Sequence, residues 1–199
     1  VIASNGDTAV AEIKYREDGL KVAALGKIEA MNGMDATQRA ELLAGMKPKE
    51  GQVTGRAVSE GVYEVALKAN AEIEKQLASN PGDFVASKNQ QVIAAQKKFA
   101  EDPSDLSALQ SYVAITMDAQ EKLGVRNKTL PSGLVDSIAT SFTSGIQNQQ
   151  QGQAESSVQY LRGVGNVLKN NQAAMSQLVN KTGPEGMLAI NGASPETVQ

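Results

Sequence analysis

Residues 104–131, SDLSALQSYVAITMDAQEKLGVRNKTLP, leave the chain little choice of local structure. Leu106, Leu109, Val113, Met117 and Leu123 recur at spacings near three and four, the repeat of one helix face, interrupted at Gln120. Tyr112, Ile115 and Ala119 lie off this stripe and widen the face to be buried. Asp102 reads as a cap with Pro103 at the first helical position, where its missing N–H costs nothing. Ser104 and Asp105 then fall in the first turn, at the positive end of the helix dipole. Lys122 occupies the last turn, and Gly124 takes the place where a left-handed residue ends a helix. Val125 supplies the apolar residue that accompanies such an end. A further helix enters at Pro131 or Ser132, so the spacing predicts a helical hairpin covered by the helices around it.

The same repeat continues along the chain. After a lead-in over residues 1–7, Val10, Ile13, Leu20, Ala24, Ile28 and Met31 predict a helix, widened by Val22 and Leu25. Gly19 and Gly26 weaken it by about 1 kcal/mol each relative to Ala, with a break expected near Gly19. Asn32-Gly33 is a turn. Asp35 with Gln38 makes a capping box for a short helix burying Leu42, Leu43 and Met46. KPKEGQ at 47–52 is polar, broken by Pro and Gly, and reads as a linker. Residues 54–78 form a second long helix with Val58, Val62, Val65, Ala69, Ile73 and Leu77 on one stripe. Asn80-Pro81-Gly82 ends it, and Asp83, Phe84 and Val85 follow in a short turn. Helices are expected over 89–100, over 132–146 (Leu134, Val135, Ile138, Phe142, Ile146) and over 154–180, with a break at Asn170-Asn171. Between the last two lies a glutamine-rich loop, IQNQQQGQAE. Gly163 and Gly165 leave room for a neighbour to approach. The tail KTGPEGMLAINGAS reads mostly as loop, with Met187, Leu188 and Ile190 tucked against the bundle.

No internal repeat stands out, and the heptads do not persist as in a long coiled coil. Alternating β-branched runs are missing, and aromatic residues make up only 4% of the chain, without Trp. The fold class is therefore all-α: a multi-helix bundle of about six to eight helices with no sheet. Residues 1–50 form an N-terminal helical hairpin or appendage, and 54–192 the main bundle. The start at Val1 and the helix-start pattern Ser194-Pro195-Glu196 close to the last residue suggest a fragment of a longer protein.

Composition narrows the chemistry. Without Cys or His the chain has no thiolate nucleophile, imidazole base, disulfide or common zinc ligand. The net charge of -3 is spread over 13 basic and 14 acidic groups in residues 1–101 and 6 and 8 thereafter. Neither half carries the basic footprint of a duplex-DNA binder, so no specific nucleic-acid partner is expected. A transmembrane span would need about 18 consecutive apolar residues, and none occurs; the start VIASNGD has no signal-peptide pattern.

Candidate reactive groups are few. Glu72/Glu74 and Glu17/Asp18 are neighbours that point to different sides of a helix, unlike a glycosidase pair held about 5–9 Å apart in a cleft. Gly163-Val164-Gly165 lies within a helical pattern without the preceding strand of a phosphate loop. Ala154-Glu155-Ser156-Ser157 resembles the Glu-Ser of lytic transglycosylases, which use one Glu as acid and base. The Gly-Leu-Met-Gln-like segment that follows it in that family is echoed only by the distant Gly186-Met187-Leu188. Glu155 also reads as a first-turn acid worth roughly 0.3–1 kcal/mol at a helix start. No catalytic, cofactor-binding or metal-ligating set is expected, and no small-molecule ligand is evident. Residues 137–180 are poor in charge, their polar positions being mostly Ser, Thr, Asn and Gln, as at partner contacts.

One broader similarity rests on Pro81 to Val85, the Asp102-Pro103 start, Ala119-Gln120-Glu121-Lys122-Leu123-Gly124-Val125 with Leu130-Pro131, and the spacing Leu161…Gly165-Asn166…Gln177-Leu178. Over roughly residues 80–190 the chain resembles the large internal virion proteins of tailed phages, ejected from the capsid ahead of the DNA. The resemblance implies a non-catalytic helical segment in the virion interior, ejected into the host envelope, with other virion proteins or its own copies as partners. Two other readings stand beside it: a murein-cleaving lytic transglycosylase-like domain using Glu155, and a bacterial helical adaptor or effector module.

Overall fold

In the computed structural model, residues 17–51, 55–147 and 152–198 are described, and among them every regular element is helical. Nine α-helices have both ends among the described residues, beyond the helical residues 17–30, against the six to eight expected. The excess comes from short elements that a stripe of several turns does not reveal. The lead-in, Val10, Ile13, the start at residue 54 and most of the glutamine loop lie outside the described residues. The chain divides into two compact units, Val1–Lys75 and Gln76–Gln199.

In the first unit, α1 (17–30) runs through Gly19 and Gly26 without a break and ends in a 3-10 turn, Met31–Gly33. The capping box forms as its sequence predicts: Gln38 N–H donates to Asp35 Oδ1 at 2.9 Å and Asp35 N–H to Gln38 Oε1 at 3.0 Å, opening α2 (Ala36–Met46). Buried Arg39 then ties α2 to α3 (Arg56–Ser79). Its Nε donates to Asn70 Oδ1 at 2.8 Å, its Nη1 to the Met34 carbonyl at 2.7 Å, and Glu74 stands 3.9 Å from its Nη2. Paired in this way, a guanidinium that is 3% exposed avoids the penalty of an isolated buried charge. Among the described residues of this unit the buried apolar side chains are Ala24, Met31, Leu43, Ala66 and Ile73. Val65, expected on the buried stripe of α3, is 50% exposed, and Leu20, Val22 and Leu25 are also open to solvent. The division into units falls within α3, whose last residues, from Gln76, belong to the second unit, and the polar segment at 47–51 lies inside the first.

The second unit holds α4 (Pro81–Lys88), α5 (Gln90–Glu101), α6 (Leu106–Lys122), α7 (Ser132–Gln147), α8 (Gln153–Leu168), α9 (Gln172–Ile190) and α10 (Pro195–Val198). The expected turn at Asp83 is a helix instead. Asn80 ends α3 and caps α4, accepting from Asp83 N–H, while Pro81 takes the first helical position, so one short motif serves both helices. α5 packs on α6, α7, α8 and α9 pack on one another, and α6 against α8 joins the two groups. Leu109, Leu130, Ile138, Phe142, Leu161 and Leu178 are buried at the centre, and the rings of Phe99 and Tyr112 lie 6.1 Å apart, tilted by 35°.

The start of α6 differs from its expectation. Asp105 is the cap, accepting from Ser107 N–H at 2.8 Å, and Asp102, Pro103 and Ser104 precede the helix. Asp102 binds the hydroxyl and amide of Ser104, and these two donors hold its carboxyl below the usual carboxylate range. The other end of α6 follows its sequence: Gly124 has φ 77°, its N–H reaches the Glu121 carbonyl, and Val125 N–H reaches the Gln120 carbonyl. The small residues of α8 also act as expected, with Leu106 packed over Gly163 and Ile190 over Gly165. The break at 170–171 is present, Asn171 capping α9 through Ala174 N–H. The tail is not a loop: α9 bends at Gly183 (φ 70°, ψ -164°) and resumes from Pro184. A proline at a restart loses no helical hydrogen bond, which is why it reads as a breaker and acts as a start. Ala189 is buried on that last stretch, whereas Met187 and Leu188 face out rather than tucking in.

Candidate functional site

The densest set of polar contacts lies where the connection between α6 and α7 crosses the second unit. Gln120, which interrupts the apolar stripe, is fully buried. Its Nε2 donates to the Thr129 carbonyl at 2.8 Å and the Thr116 carbonyl at 3.2 Å, and its Oε1 accepts from Thr129 N–H at 2.9 Å. A buried amide satisfied on both ends in this way fixes the loop as another strand of backbone would. Gln177 on α9 repeats the device one residue on, accepting from Leu130 N–H at 2.8 Å and donating to the Leu130 carbonyl at 3.3 Å.

The third attachment is to α4. Thr129 Oγ1 accepts from Gly82 N–H at 3.0 Å, and Asp83 accepts from Ser132 N–H at 2.6 Å and from the Ser132 hydroxyl. Asp83 thereby caps the start of α7, where a carboxylate is also favoured by the helix dipole. Gly82 is required at this crossing: a Cβ there would press on the backbone of Leu130 and lie 2.7 Å from Pro131 N. Residues 129–132 are thus held from α4, α6 and α9 together. Sequence reasoning missed Gln120, Thr129 and Asp83 as partners, because each has an ordinary local explanation. The available signal was Gln120 itself, a polar residue in phase with the buried stripe.

Above this joint, the Tyr112 hydroxyl and Thr116 Oγ1 are buried without a protein partner. Burial pushes the Tyr112 phenol up to about 12, with the charge of Asp83 adding to the effect. The Tyr160 phenol is also raised by burial, and its hydroxyl donates to the Pro103 carbonyl at 2.9 Å.

Glu155 stands in the first turn of α8 on the exposed side, accepting from Gln159 Nε2 at 3.3 Å. The nearby cavity is lined by Asp102, Ser104, Ser141, Ser156, Ser157 and Tyr160, and Glu155 is not among its walls. Asp102 there is committed to Ser104, Ser156 to the Gly152 carbonyl, and Tyr160 to Pro103. Gly186 and Met187 are likewise not among the walls of that cavity.

Within the first unit, an apolar groove of about 550 Å³ runs between α1 and α3, lined by Ala24, Leu25, Ile28, Val58, Val62 and Val65 with Lys21 at its edge. Among the described residues no group of three or more acidic side chains is placed to hold a metal ion, and no helix is long and apolar enough to cross a membrane. Compared with known protein families, curated proteins and solved structures, the chain matches none of them.

Proposed function

We propose that this chain is a non-catalytic helical segment of a phage internal virion protein, one of the DNA-ejection proteins. Its work on this reading is to hold shape and make protein contacts, with its own copies or neighbouring virion proteins as partners. The virion interior is its place before ejection and the host envelope after it. One observation carries the reading. The polar groups of the segment that resembles those proteins, Asp83, Gln120, Thr129, Ser132 and Gln177, are engaged with one another and with backbone, joining helices. A catalytic or ligand-binding helix bundle instead directs such groups into a shared cavity. The charge-poor sequence of residues 137–180 and the open apolar groove of the first unit support contacts with protein rather than with nucleic acid.

The test is mass spectrometry of purified particles produced by the phage or prophage carrying the gene, followed by fractionation of infected cells. The expected result is the parent polypeptide in the particle and, after infection, in the envelope fraction. Its absence from particles, or a gene lying in a secretion locus instead of among capsid and tail genes, overturns the reading in favour of an adaptor or effector module.

A further inference from the structure

We draw no further inference here: the strongest candidate, the open apolar groove between α1 and α3 lined by Leu25, Ile28, Val58, Val62 and Val65, is an unpartnered face for which nothing in the structure shows what covers it.

Discussion

Replacing Gln120 by Leu removes the amide that joins α6 to the connection before α7 while keeping most of its volume, so little cavity cost is added. Three hydrogen bonds are lost, at 2.8, 2.9 and 3.2 Å. The Thr116 carbonyl sits within α6 and retains the helical ladder. The N–H and C=O of Thr129 have no such reserve. With about 1 kcal/mol net per lost bond and about 1–3 kcal/mol for a buried group left without a partner, the expected destabilisation is about 2–4 kcal/mol. Urea denaturation followed by far-UV circular dichroism reads this as a lower midpoint, and hydrogen exchange reads it at one site, as faster exchange of the Thr129 amide. Gln120→Glu sharpens the test. It places a carboxylate oxygen against the carbonyls of Thr116 and Thr129, and burial together with those oxygens raises the carboxyl's folded pKa above its unfolded value. A raised folded pKa confers stability that is complete below the unfolded pKa and is lost as pH rises through the folded one. The Glu variant's deficit against wild type is therefore largest near neutrality and shrinks on acidification toward pH 4. If Gln120→Leu unfolds within about 0.5 kcal/mol of wild type and the Thr129 amide stays equally protected, the joint does not hold the loop and the reasoning fails.

Gly82→Ala and Gly163→Ala separate backbone from side-chain crowding. The first drives a methyl into the backbone at Leu130 and Pro131 and is expected to cost about 3 kcal/mol. The second meets the end of the Leu106 side chain, which can turn away, and with better helix propensity in its favour shifts stability by less than about 1 kcal/mol; thermal melts compare them. Spectrophotometric titration of the four tyrosines should show the Tyr112 phenol ionising late, at about 12. Because its folded pKa lies above its unfolded one, stability that is whole below pH 10 falls as pH climbs toward 12, and Tyr112→Phe, which also removes an unpartnered buried hydroxyl, abolishes that component without lowering stability at pH 7. In zymograms on purified murein, wild type and Glu155→Gln are expected to leave the wall equally intact; clearing by wild type that the variant loses would restore Glu155 to a catalytic role.

The residues that sequence reasoning placed well are those whose physics is local. The Asp35–Gln38 box, the Gly124 end of α6 and the Asn171 restart each involve groups within five residues of one another, so spacing alone specifies the partner. The close approaches at Gly163 and Gly165 were legible as room, though not as the Leu106 and Ile190 that fill it. Errors arose where one residue type fits two neighbouring roles. Asp102 and Asp105 can each cap a helix, and Pro103 favours the first, yet Asp102 is already engaged by Ser104 in the turn that closes α5. The tail around Pro184 reads mostly as loop, when the left-handed Gly183 before that proline makes it the start of another helical stretch.

A deeper limit separates the two units. Periodicity states which side chains seek burial but not whether the chain supplies cover. Leu161 and Leu178 find it completely, each being enclosed by helices from elsewhere in the second unit. Val65, on a stripe of the same quality, and Leu25, at the widened edge of another, remain 50% and 61% exposed; among the described residues of the first unit the buried apolar side chains are Ala24, Met31, Leu43, Ala66 and Ile73 instead. Gln120 is the converse case: a polar residue in phase with the buried stripe, whose partner the pattern does not name, since Thr129 presents backbone rather than side chain. Both cases have the same origin. Hydropathy along a helix is a property of one element, whereas cover and hydrogen-bond satisfaction belong to pairs of elements, and the residues that decide how this fold is joined are those in which the two disagree.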